Sequence, residues 1–258
     1  MKIRKVAFYY FSGTGNTLLI VNKMIDIFRS LNIEVNIYNM LYTKPSEISI
    51  DNTIGISFPV ACFTTYPFVW DFLEAMPDGQ GTDIFMVDTK GSFSGGMTGQ
   101  VHQLLVRKNY NPIGAREIKM PNNINFSRYD EQKNQQLISI GLQKAKYYTH
   151  DLVYGISKWK PIFILPTLFE KLQVRRRAWT FLEKRLVLTI DNIKCIRCGL
   201  CYKLCPVNNI EMEEYPEYLG KCQFCLRCIS FCPTQAISFK DKKDFYPYNA
   251  LEAEELLK

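Results

Sequence analysis

The chain has 258 residues, enough to bury a substantial core as one large domain or two modest ones. Its 47% apolar and 22% charged residues exclude intrinsic disorder and read as a soluble globular protein. The formal charge of +7 is uneven, residues 151–190 holding eight basic and three acidic side chains, and no nucleic-acid-binding motif accompanies it.

Lys2, Arg4 and Lys5 open the chain, but the apolar run behind them breaks at Ser12 without a small-residue cleavage pattern. The most apolar later stretch, residues 161–169, is far too short to span a bilayer. The expectation is a cytoplasmic protein that does not span a membrane.

The first ~120 residues alternate apolar runs with amphipathic stretches, the pattern of an α/β domain with a parallel sheet. Strands are predicted at Lys5–Phe11, Glu34–Tyr38, Thr53–Val60, Asp83–Asp88 and Ala115–Met120. Helices are predicted at Asn16–Leu31, Pro67–Glu74 and Gly99–Val106. Five strands with crossover helices imply a doubly wound five-stranded parallel sheet, whose ligand belongs beyond the carboxyl ends of its strands.

The first strand meets the first helix through Ser12-Gly13-Thr14-Gly15-Asn16-Thr17. Backbone N–H groups and three hydroxyls gathered above a helix N-terminus make a phosphate site. The loop has neither the Walker lysine nor the three-glycine dinucleotide spacing. A Ser/Thr-rich turn that merely caps the helix is the bland alternative.

This stretch resembles the flavin mononucleotide (FMN) phosphate loop of flavodoxins, and the likeness extends loosely over residues 1–120. The resemblance implies that Ser12 to Thr17 hold the FMN phosphate. It also implies two loops flanking the flavin ring. One is Pro59-Val60-Ala61-Cys62-Phe63, after the third strand. The other, after the fourth, is Thr89-Lys90-Gly91-Ser92-Phe93 with Gly95 and Gly96. Many flavodoxins carry a glycine in the first of these loops, where this chain has Ala61 and Cys62. Phe63, Tyr66 and Phe93 are candidates to stack on the ring, Cys62 to pack beside it, and Lys90 to place positive charge near it. His102, on the following helix, is a weaker candidate proton donor.

Pro121 opens a polar loop, and Asp130 to Tyr154 reads as one long helix that closes a first domain over residues 1–154. Residues 155–185 form a connector that includes the basic run Arg175-Arg176-Arg177, either a solvated or inter-domain face or a dock for an acidic partner.

The remaining residues, 186–258, hold eight of the nine cysteines in a twofold repeat. Cys195-x2-Cys198-x2-Cys201-x3-Cys205-Pro206 recurs 27 residues later as Cys222-x2-Cys225-x2-Cys228-x3-Cys232-Pro233. A cubane needs four surrounding thiolates, and a CxxCxxC loop supplies three from one side. Structural zinc also uses CxxC pairs, but it gives no reason for the duplicated third and fourth cysteines or the prolines.

From Thr189 to Phe239 the segment resembles the two-cluster bacterial-type ferredoxins, which implies a small α+β domain holding two [4Fe–4S] clusters. By that pattern each fourth ligand crosses to the other repeat. Cys195, Cys198, Cys201 and Cys232 then hold one cluster, and Cys222, Cys225, Cys228 and Cys205 the other.

The whole chain resembles the flavodoxin–ferredoxin fusion proteins of anaerobic microbes, also called EFR-family ferrodoxins. The resemblance implies an electron-transfer iron–sulfur flavoprotein that relays electrons between the clusters and FMN and docks with redox partner proteins. The alternative is an FMN-dependent reductase of a quinone, nitro compound or enone, fed by the clusters.

Overall fold

The computed structural model describes residues 3–124, 130–161, 179, 186–240 and 245–257. Arg175–Arg177 and most of the connector lie outside them.

Strands β1 (Lys5–Tyr10), β2 (Glu34–Asn39), β3 (Thr53–Pro59), β4 (Asp83–Lys90) and β5 (Asn111–Lys119) form one sheet in the order 2-1-3-4-5. Every pair is parallel. This is the flavodoxin-like doubly wound order, with its switch point between β1 and β3. The inner strands are buried on both faces, which explains their near-continuous apolar runs.

Helix α1 (Asn16–Ser30) presents Leu18, Val21, Met24, Ile25 and Phe28 to one face of the sheet, the stripe that its 3.6-residue period dictates. Helix α4 (Glu131–Val153) packs beside it, and the Asp130 side chain caps its first turn by accepting from Lys133 N–H. Helices α2 (Pro67–Ala75) and α3 (Met97–Arg107) contribute Val69, Trp70, Leu73, Val101 and Leu105 to the core on the opposite face.

β5 begins four residues before its predicted start. Asn111-Pro112 reads as a turn in sequence, but an edge strand tolerates proline, and a register shift opposite Ile84 and Phe85 accommodates it.

In the C-terminal part, β6 (Leu188–Ile190) pairs antiparallel with β9 (Ile237–Phe239), and β7 (Ile210–Met212) with β8 (Pro216–Tyr218). Short helices α5 (Leu200–Leu204), α6 (Arg227–Ser230) and α7 (Ala253–Leu256) complete it.

The two halves share their cores. Phe224, Leu226, Ile229 and Phe239 belong to the same apolar cluster as Phe11, Tyr66 and Trp70. On the other face, Leu204, Phe231 and Leu256 join the cluster around α1. From the connector, Trp159 is buried and donates its indole N–H to Thr98 O at 2.9 Å.

Candidate functional site

The eight cysteines of the repeat line two separate cavities. Cys195, Cys198, Cys201 and Cys232 surround one, and Cys205, Cys222, Cys225 and Cys228 the other. Each set takes its fourth thiol from the opposite repeat. Among the described residues, no three His, Cys, Asp or Glu side chains converge tightly enough to hold a single ion. Four thiols standing around a cavity suit a polynuclear cluster better than zinc, which draws its ligands to one point.

The backbone repeats the same geometry. Arg197 and Phe224, Gly199 and Leu226, and Asn208 and Gln235 are equivalent pairs, each 27 residues apart, and all six have positive φ. Left-handed residues turn successive N–H groups to one side, the arrangement that gathers donors around an anionic centre. Asn209 N–H donates to Cys205 Sγ at 3.2 Å, and its equivalent Ala236 N–H donates to Cys232 Sγ at 3.3 Å. Such bonds stabilise thiolate sulfur and tune a cluster.

The two cavities differ in setting. Cys198 is exposed, and Ile193 and Ile196 stand 98% and 63% exposed in the same loop. The Cys205 cavity lies inward and shares Phe224 as a lining residue with a much larger cavity in the N-terminal half.

That larger cavity, of about 320 Å³, opens at the carboxyl ends of β1, β3, β4 and β5, where the topology puts a ligand. Gly13, Thr14, Asn16 and Thr17 line it, as do Pro59, Val60, Ala61, Cys62 and Phe63, and Thr89 through Phe93. Four of the loop candidates stand outside the lining. Ser12 Oγ turns back to accept from Leu18 N–H at 3.3 Å. Gly15 and Gly96 take left-handed conformations at the starts of α1 and α3. Gly95 lets two loops meet, since a Cβ there would fall 1.9 Å from Phe63 O.

The loops are cross-tied. Thr17 Oγ1 and Thr89 Oγ1 share a hydrogen bond of 2.7 Å, and Val60 N–H donates to Thr89 O at 2.8 Å. Asn16 donates from Nδ2 to Pro121 O at 2.9 Å and accepts at Oδ1 from Tyr248 Oη–H at 2.8 Å. Among the described residues, the backbone N–H groups of Gly13 to Thr17 have no protein acceptor. They stand at the N-terminus of a 15-residue helix.

Cys62 and Phe63 both have positive φ, and Ala61 and Thr64 exchange two backbone hydrogen bonds across them. This tight turn would ordinarily carry glycine or asparagine. Burial pushes the Cys62 thiol up to about 11, so it is no thiolate nucleophile at neutral pH. His102 is not in the lining; it packs edge-on to Trp159, and burial lowers its pKa. Lys90 is in the lining and also pairs with Glu117 at 2.8 Å.

Sequence reasoning passed over several wall residues: Asn122, Asn123 and Ile124 after β5, Trp179 of the connector, and Phe224. The β5 loop was open to discovery, because the topological rule applies to every strand's carboxyl end. Trp179 is buried, and its indole N–H has no acceptor among the described residues. A buried donor without a partner suits a cavity that receives a polar ligand.

Residues 187–233 match the family model described as a 4Fe-4S dicluster domain. A 59-residue stretch is 36% identical to a ferredoxin of Methanothermococcus thermolithotrophicus, covering 21% of this chain and 98% of that protein. The chain is also 29% identical over 126 residues to NAD(P)H-quinone oxidoreductase subunit I of Gloeobacter violaceus. That match covers 43% of this chain and only 57% of the relative's length. Among solved structures, oxidised Flavodoxin 2 from Bacillus cereus aligns over 58% of this chain and 98% of that one, at 14% identity and a TM-score of 0.46. A dicluster domain with eight cysteines implies two clusters. Through its C-terminal part the chain belongs to the 4Fe-4S dicluster ferredoxins, and this ferredoxin domain follows an N-terminal domain of flavodoxin-like fold.

Proposed function

We propose that the chain relays electrons between two [4Fe–4S] clusters and FMN. The observation that carries this reading is Phe224, which lies between Cys222 and Cys225 in sequence and forms a wall of both the inner cysteine cavity and the large cavity. The clusters exchange one electron at a time and the flavin two, so together they convert between single-electron and two-electron chemistry.

The residues divide the work. The Cys195 set, with Cys198 exposed, faces the surface where a redox partner protein can dock, and the Cys205 set faces the flavin site. Free N–H groups from Gly13 to Thr17 receive the phosphate, while the loops after β3, β4 and β5 enclose the ring. Trp179 Nε1 offers a further donor to it, and the buried Tyr66 and Phe224 help to exclude water.

A second reading is favoured by Phe63 and Phe93, whose rings lie 6.0 Å apart and more than half exposed in the lining of the cavity. They could admit a small electrophile, making the protein a reductase fed by its clusters.

An anaerobic reductive titration, with iron, sulfide and flavin quantified on the same sample, tests the proposal. About eight irons and one FMN per chain, both bleaching on reduction, are expected. Iron without flavin, even after FMN is added, would sink the flavin half. Saturable turnover of a quinone by reduced protein, abolished in a Phe63 variant, would favour the reductase.

A further inference from the structure

Among the described residues, the largest fully buried side chain is a cation. Arg227, 1% exposed, lies between the cluster-set residues Cys225 and Cys228. Among the described residues no carboxylate pairs with it. Its Nη2 donates to Ser12 O at 2.6 Å, and its Nε to Ser12 O at 3.1 Å and Gly13 O at 3.3 Å. Nη1 reaches Leu204 O at 3.3 Å, and the guanidinium lies 4.8 Å from the centre of the Phe11 ring.

Burying a guanidinium with no carboxylate beside it is costly, so apolar packing alone does not account for it. Its carbonyl partners give it a geometric role. In a trans peptide the N–H points away from the carbonyl. Holding the oxygens of Ser12 and Gly13 therefore turns the N–H groups of Gly13 and Thr14 away from Arg227. Ala250 N–H does the same for the next peptide by donating to Thr14 O at 2.7 Å. Tyr248 adds a fourth tie, through Asn16. The ferredoxin half thus holds three consecutive peptides of the loop by their carbonyls, leaving the opposite edge free for an anion.

We infer that Arg227 is a positioning residue for the flavin phosphate. It acts through the Ser12 and Gly13 carbonyls, and Tyr248 and Ala250 support it. Phosphate affinity is then a property of the fused chain and not of the flavodoxin-like half. This rests on the flavin reading above. Lysine, a point charge without the planar fork, cannot hold both carbonyls in the same way.

The test compares FMN with riboflavin, which lacks the phosphate. Dissociation constants for both are measured by flavin fluorescence on deflavinated, cluster-loaded protein, with iron counted on each sample. Arg227→Met should weaken FMN at least thirtyfold and riboflavin less than twofold, with Arg227→Lys in between. Tyr248→Phe, which leaves the cysteine segments untouched, should lower the FMN preference about threefold to tenfold, and it decides the matter if the arginine variants lose their iron. A wild-type ratio of the two constants in any cluster-loaded Arg227 variant, or in Tyr248→Phe when neither arginine variant loads, would overturn the inference. Equal loss of both flavins would overturn it too, marking Arg227 as merely structural. Wild-type protein that binds neither flavin would instead overturn the flavin reading, and the inference with it.

Discussion

Asp88 and Glu117 stand directly opposite each other on β4 and β5, with the Asp88 carboxyl fully buried. Neither of its oxygens has a hydrogen-bond partner among the described residues, and Glu117 Oε1 also lacks one. Burial raises the Asp88 pKa well above the ordinary range. The Glu117 charge adds to the shift, and Lys90 opposes it. Between the unfolded and the native pKa the native chain therefore keeps a proton that the unfolded chain has released. Stability falls by up to about 1.4 kcal/mol per pH unit above the unfolded pKa, until the native carboxyl itself ionises. Asp88→Asn cannot ionise, so it should raise the Tm, and by more at pH 8 than at pH 5.5. A gain independent of pH would refute this account.

The crossing of the fourth ligands can be read from paired substitutions. Cys198→Ser and Cys232→Ser remove thiols of the same cavity although they come from different repeats. Each should lower iron from about eight to about four per chain, and the double variant should fall no further. Cys198→Ser with Cys205→Ser spans both cavities and should lose nearly all of the iron. Equal iron in the two double variants would contradict the crossed assignment.

Phe63 holds φ at 61° while 57% exposed. A left-handed conformation costs a side-chain-bearing residue about 1–2 kcal/mol, and glycine escapes that cost. Phe63→Gly should therefore be more stable than Phe63→Ala by about 1 kcal/mol, the reverse of the usual order. Denaturant unfolding of the two variants is the check.

Gly15 has φ +105°, and a Cβ there would fall 2.8 Å from Leu251 N. Gly15→Ala should cost at least about 1–2 kcal/mol through backbone strain alone. The clash should also loosen the tail that donates from Ala250 to Thr14. Hydrogen exchange at the Ala250 amide should accelerate, and an unchanged rate would mean that the tail yields without losing its bond.

The architecture was legible because periodicity carries it. The inner strands are apolar runs, α1 shows its stripe, and the cysteine repeat states its own spacing. The lining of the large cavity was legible only where a loop has a distinctive composition, as at Thr14 or Gly91. Phe224 and Arg227 escaped notice because nothing in a CxxC spacing marks which intervening side chain faces another domain. The same holds for Tyr248 and Ala250, some 230 residues from the loop they hold. Asp88 looked like the polar end of a strand, since its burial depends on what packs over it.

The hydrogen bond from Ala250 to Thr14 joins residues at nearly opposite ends of the described chain. Closing so long a loop is entropically costly and is repaid only once the intervening structure exists. In refolding, the β1–α1 turn should therefore gain its final shape last, after the sheet and after the cysteine repeat has docked. A newly made chain would then become competent to take up a phosphate-bearing cofactor late, and assembly of the two halves would set the time at which it does so.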